Sequence, residues 1–271
     1  MATPIIAGVD GSANARQALD WAADEARRHR RPLRLVHASR ALLRDGTLTD
    51  LDYARLEEDR TALLEDKRQY ALKQAPDVDV TTELAANEPD EALVDASARA
   101  GLLAVGARGA GGFAELLFGS VALHVAGHAH CPVLAVPAGA APPADAPPEV
   151  LVGVDTAHRQ DAALGWAFAE ASLRGARLTA LHAVSVEQGS PRLRDIADRD
   201  LAEALTGWSD RYPDVVVRPV VADSGAARAL VLASGESALA VVGTRGRVGR
   251  VGHAVLHHAR CPVVLVPATG G

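Results

Sequence analysis

Aromatic residues are scarce: three Trp, three Tyr and three Phe account for 3% of the 271 residues. Ala, Val and Leu must therefore fill the core. Lysine is almost missing, with only Lys67 and Lys73 among 28 basic residues. Acidic residues exceed basic ones, for a net charge of -6. That balance gives no basic surface for nucleic acid or an anionic membrane. No apolar run approaches the roughly 20 residues of a membrane span. The start, MATPIIAGVDGS, enters a strand at once and has neither a basic leader region nor a cleavage site. These absences lead to the expectation of a cytoplasmic protein with no nucleic-acid or membrane partner. The two cysteines, Cys131 and Cys261, do not alter it: each precedes a proline at a strand start, where a small apolar residue is wanted.

What is present is organised around Ala104 to Pro137. Leu102 to Val105 are apolar in a row, as in a strand covered on both faces. Gly106 and Gly109 break the strand, a glycine-rich loop runs to Gly119-Ser120, and Val121, Leu123 and Val125 open a helical pattern. A proline-bounded strand, Val133 to Val136, follows. Strand, glycine loop and helix N-terminus form an arrangement that can hold phosphate. Earlier, Pro4 to Val9 reads as a buried strand followed by Asp10-Gly11-Ser12. Ala15, Ala18, Leu19, Ala22, Ala23 and Ala26 recur at helical spacing, and Leu33 to Ala38 is a second strand. A charged helix from about 50 to 73, a strand over 78–84 and a helix over 89–99 complete the half.

Residues 139–148, GAAPPADAPP, read as a stiff Pro/Ala linker. After it the chain repeats itself. IAGVDGSANARQALDWAADEA returns as LVGVDTAHRQDAALGWAFAEA, and LVHA as LTALHA. Leu93, Ala96 and Ser97 return as Leu230, Ala233 and Ser234, and VGARG as VGTRG. The predicted organisation is thus a domain at 1–138, a linker at 139–148 and a domain at 149–271. Each domain alternates strands and helices around a mainly parallel sheet with helices on both faces.

Gly106-x2-Gly109-x9-Gly119-Ser120, with Val9-Asp10-Gly11-Ser12 after the first strand and HCPVLAVP at the end, resembles the universal stress protein family. The duplicated layout is similar to its tandem-domain members. The resemblance implies two flavodoxin- or Rossmann-like (HUP-type) α/β domains, each with five parallel strands in the order 3-2-1-4-5. It implies ATP, with or without magnesium, as the bound cofactor. Carried over residue by residue, the nucleotide-binding set is Gly8, Asp10, Ala38, Gly106, Arg108, Gly109, Gly119, Ser120 and Val121. Asp10 would lie near the adenosine moiety, and Ala38 would meet the adenine through its backbone. The family also implies pairing through the last strands, PVLAVP and PVVLVP, and hence a homodimer.

The second half departs from this pattern. Nine residues separate Gly109 from Gly119, but two separate Gly246 from Gly249. Arg250 stands where the serine was, and Thr156-Ala157 replaces Gly-Ser after Asp155. The expectation is ATP bound chiefly by the first domain, with Gly243, Gly246, Gly249 and Arg250 left as structure or as a residual anion site. Arg108 and Arg245 fit either a phosphate or a partner domain. His124 and His128, and His253 and His257, have the four-residue spacing of helical metal ligands. Only His128 and His258 correspond across the repeat, so no metal site is predicted.

Three functions compete. The first, which the resemblance favours, is a nucleotide-dependent regulator in stress or dormancy response. The second is an enzyme of related fold that acts at an α-phosphate; VDGSANA lacks the SGGxDS-type loop of such enzymes, and no base is paired with a nucleophile, while the resemblance implies ATP hydrolysis that is slow at most. The third is a nucleotide-independent scaffold.

Overall fold

A computed structural model describes residues 3–42, 49–107, 109, 118–140, 148–158, 161–184 and 191–268. The chain divides into two compact units, residues 1–138 and 139–271. Residues 141–147 of the expected linker lie outside the described set.

The first unit runs β1 (Ile5–Gly8), α1 (Ala13–His29), β2 (Leu33–Ala38), a 3-10 turn (Arg40–Leu42), α2 (Asp50–Gln74), β3 (Val80–Ala85), α3 (Pro89–Ser97), β4 (Leu102–Gly106), α4 (Ser120–His128) and β5 (Val133–Val136). Its strands lie in the order β3-β2-β1-β4-β5, and every pairing is parallel. The second unit runs β6 (Glu149–Gly153), α5 (Asp161–Arg174), β7 (Arg177–Val184), α6 (Pro191–Leu205), α7 (Trp208–Arg211), β8 (Val217–Asp223), α8 (Ala226–Ala233), a 3-10 turn (Ser234–Glu236), β9 (Leu239–Thr244), α9 (Arg250–His258) and β10 (Val263–Pro267). Its order is β8-β7-β6-β9-β10, again all parallel. Both are α/β units of Rossmann-like type with the 3-2-1-4-5 order.

The apolar strands are buried as their composition requires: Ile5, Ile6, Leu103, Leu134, Leu151 and Leu239 are all within the core. The α1 stripe of Ala15, Ala18, Leu19, Ala22, Ala23 and Ala26 is buried too. By contrast α2 buries only Tyr53, Leu64 and Ala71, so its mixed charges form a solvated face. A capping box starts that helix. Thr49 Oγ1 accepts from Asp52 N at 3.3 Å, and Asp52 Oδ2 accepts from Thr49 N at 3.2 Å. Hydrogen bonds from the Thr49 hydroxyl and then its backbone hold the Asp52 carboxyl below its ordinary range.

Some boundaries differ from the periodicity. The third strand starts at Val80 rather than Val78, because Val78 N bonds back to Ala75 O at 3.2 Å and closes a turn. Helix α3 ends at Ser97, and Arg99 N and Ala100 N bond three residues back, a tightened last turn. In the second unit Gly207, with φ 80°, splits the charged segment into α6 and α7. That break lets Trp208 stack on Phe168, 5.5 Å between ring centroids. Gly165 makes room for it: a Cβ there would stand 3.0 Å from Trp208 Cη2.

The repeat extends to hydrogen bonds. Ser97 Oγ donates to Val94 O and accepts from His130 N; Ser234 Oγ donates to Val231 O and accepts from Arg260 N. His37 Nδ1 lies 2.6 Å from Val9 O, and His182 Nδ1 lies 2.9 Å from Val154 O. Both cysteines are buried, and burial pushes their thiols up to about 12. The stacked pairs His124–His128 and His253–His257 gather no third ligand atom within 4.8 Å among the described residues.

Candidate functional site

The site of the first unit forms where β1, β2 and β4 end, the edge at which open α/β sheets place their ligands. Past β1 the chain turns sharply. Asp10 Oδ1 accepts from Ser12 N at 3.0 Å, Gly11 takes φ 83°, and Ser12 Oγ accepts from Ala15 N at 3.1 Å to cap α1. The helix cap is therefore Ser12, which leaves the second carboxylate oxygen of Asp10 directed elsewhere. Gly109 faces it.

Gly106 ends β4 against the first turn of α1. A Cβ on it would stand 2.8 Å from the carbonyl carbon of Asn14, so this glycine is required by packing. The chain then leaves at Ala107, whose N bonds Val136 O at 2.8 Å, and returns at Gly119, whose N bonds Ala107 O at 2.7 Å. Both ends of the loop are thereby tied to one point of the sheet. Gly119 caps α4 without a side-chain hydrogen bond, so the first turn presents amides and the Ser120 hydroxyl.

Gly8, Asp10, Ala38, Gly106, Gly109, Gly119, Ser120 and Val121 all line one cavity of about 350 Å³. The ninth expected member, Arg108, lies outside the described residues. Sequence reasoning missed the apolar wall from Val36, Pro89, Leu93 and Val105. Its signals were Leu93 and Val105, which the repeat preserves as Leu230 and Val242. Gly8 exists for that wall: a Cβ would meet Leu93 Cδ1 at 3.1 Å. One end of the cavity is thus apolar and the other carries amides and a hydroxyl.

The second unit has a cavity of about 490 Å³ at the matching strand ends, lined by Gly153, Asp155, Ala183, Gly243, Gly249 and Arg250 among others. Arg250, expected as structure or as part of a residual anion site, lines this cavity with Gly243 and Gly249. Gly246 is outside the lining and turns the short loop with φ 74°. Asp155 repeats the turn of Asp10, accepting from Ala157 N at 3.2 Å. Its other oxygen lies 2.9 Å from His158 Nδ1 and 3.5 Å from Arg245 Nη1.

The profile of the Universal stress protein family matches residues 1–137 and again 148–267. The chain belongs to the universal stress protein family. A universal stress protein of Mycobacterium tuberculosis is 38% identical over 288 residues, covering 96% of this chain and 95% of the relative. One of Mycobacterium bovis is 35% identical over 286 residues, covering 96% of each. Among solved structures, a universal stress protein from Archaeoglobus fulgidus superposes with a TM-score of 0.73 at 19% identity, covering 99% of this chain and 100% of that one. That likeness carries the fold. Two universal stress protein units thus occur in tandem in this chain. No helix among the described residues is long and apolar enough to cross a membrane.

Proposed function

We propose that the first unit is an ATP-binding site and that its occupancy regulates a stress or dormancy response in the cytoplasm. The observation that supports this is the convergence of eight expected residues from four separate chain segments on one cavity. Its volume, about 350 Å³, falls within the ordinary range for small-ligand sites. The apolar wall of Val36 and Leu93 suits a flat base, with the backbone of Ala38 beside it. Gly106, Gly109 and Gly119 let the backbone approach phosphates, and Ser120 and the α4 amides would hold them. Asp10 offers the single carboxylate that a magnesium ion carried by phosphates would use. The role read here is conformational, with partner choice set by occupancy. The same proposal includes homodimerisation through the last strands, to be read as mass by sedimentation.

Titration of nucleotide-free protein with ATP, beside Asp10→Ala, tests the site. Binding that weakens by about tenfold or more in the variant, with an unchanged circular dichroism spectrum, is expected. Equal affinity in the two proteins would remove Asp10 from the site, and absence of any binding would favour the scaffold reading.

A further inference from the structure

Val9, the residue before Asp10, is held at both its polar groups by the neighbouring strand. Its N–H donates to Val36 O at 2.9 Å, and its carbonyl oxygen lies 2.6 Å from Nδ1 of His37. The first bond is an ordinary rung of a parallel ladder. In the second, a side chain reaches across to a main-chain oxygen. A carbonyl only accepts, so Nδ1 of His37 carries a proton and donates it.

Val36 and Ala38 line the first cavity, and His37 does not. Side chains alternate along a strand, so the ring lies on the other face of the sheet, where it is 5% exposed. Its second nitrogen, Nε2, has no hydrogen-bond partner among the described residues. An unpaired buried polar atom costs folding free energy, a cost that an apolar side chain of similar bulk would not carry. What the imidazole supplies in its place is the hold on Val9 O.

The second unit repeats the clamp with one difference. Val154 N donates to Leu181 O at 2.8 Å, and His182 Nδ1 lies 2.9 Å from Val154 O. There Nε2 meets the Thr156 hydroxyl at 3.5 Å. In the first unit Gly11 takes the place of Thr156, brings no hydroxyl, and adopts φ 83°. The Val9–Asp10 peptide therefore leads into a residue with no β-carbon to restrict rotation, and the hold on its carbonyl comes from His37.

We propose that His37 is a positioning residue for the first cavity. By gripping the carbonyl of the Val9–Asp10 peptide from behind the sheet, it sets the direction of the Asp10 side chain. Asp10 then keeps Oδ1 on Ser12 N at 3.0 Å with Oδ2 towards Gly109. His37 lies outside the cavity and acts through Asp10. The inference rests on the reading of Asp10 as a nucleotide contact.

The test is calorimetry of the nucleotide-free full chain with ATP. His37→Leu removes the donor and is expected to weaken ATP by about tenfold. His37→Asn keeps one, since its amide nitrogen takes the place of Nδ1, and should bind within about threefold of the parent. In an Asp10→Ala background His37→Leu should cause no further loss, because residues acting through one contact are not additive. Ser97→Ala, which removes a different buried hydrogen bond, should leave ATP affinity unchanged. Affinity indifferent to His37→Leu, or equally reduced in His37→Asn, would overturn the proposal. Full additivity with Asp10→Ala, or an equal loss in Ser97→Ala, would do the same. A second measurement needs no variant: nitrogen-15 NMR of the parent should show a proton on His37 Nδ1, and ATP should move that signal. A bare Nδ1, or a signal that ATP does not move, would overturn the proposal even where His37→Leu failed to fold. Failure of the ATP reading looks different: ATP binding is absent, or Asp10→Ala leaves it intact, and this inference falls with it.

Discussion

A Cβ placed on Gly109 would stand 2.7 Å from Oδ2 of Asp10. Asp10 cannot readily yield, because its other oxygen holds Ser12 N at 3.0 Å. Gly109→Ala is expected to weaken ATP by about tenfold or more while leaving the melting midpoint near that of the parent, since Gly109 is exposed. Gly106→Ala should do the reverse of this in stability: its Cβ meets the α1 backbone at 2.8 Å, an overpacking cost of about 1–3 kcal/mol. Thermal melts of the two variants side by side separate the roles. Equal melting losses in both would show that Gly109 is also a packing glycine.

Arg30 ends α1 with φ 51°. It occupies the place of Gly175, φ 59°, after α5. The same long bond closes each helix, Arg31 N to Ala26 O and Ala176 N to Ala171 O. A left-handed conformation costs a side-chain-bearing residue about 1 kcal/mol relative to glycine. Arg30→Gly is therefore expected to stabilise the protein by about 0.5–1 kcal/mol in urea unfolding. A loss of stability would contradict this account of the cap.

Ser97 and Ser234 each tie a helix end to the loop before the last strand of their unit. Each is buried. Alanine at either position leaves a backbone N–H, of His130 or Arg260, without its acceptor. The expected cost is about 1–3 kcal/mol, and similar for the two because the geometry is the same. Urea midpoints of Ser97→Ala and Ser234→Ala check it; no change in either would mean that water replaces the hydroxyl.

His257 is held below its ordinary value of 6.5 by burial first, then by the neighbouring His253 and His258. The folded state thus disfavours its protonation relative to the unfolded chain. The penalty is absent above the unfolded value and grows as pH falls from 6.5 towards the folded one. Stability should drop as pH falls through 6.5, and His257→Gln should drop less. Parallel slopes for the two proteins would contradict the assignment.

Much of this was legible in the sequence for identifiable reasons. Buried parallel strands such as IIAG and VLAV are near-continuous apolar runs, and the internal repeat located them twice. Gly106, Gly109 and Gly119 fell into one pattern by their spacing, and a Cβ would meet the α1 backbone at Gly106 and the Asp10 carboxylate at Gly109. The apolar wall was not legible, since Val36, Leu93 and Val105 look like any core residues until the strand order brings them together. Nor was the open second cavity. Counting residues showed that the loop was shorter, but only the fold showed that Arg245, Arg247 and Arg250 converge on the space it vacates. The split of the second charged helix hung on Gly207 and on Trp208 finding Phe168, a contact 40 positions apart in sequence.

The central claim is that the first unit binds ATP through its glycine loop. The most direct measurement is calorimetric titration of ATP into the nucleotide-free protein, with and without Gly109→Ala. The account predicts an ATP site that Gly109→Ala weakens by about tenfold or more. No heat, or binding indifferent to Gly109→Ala, would contradict it.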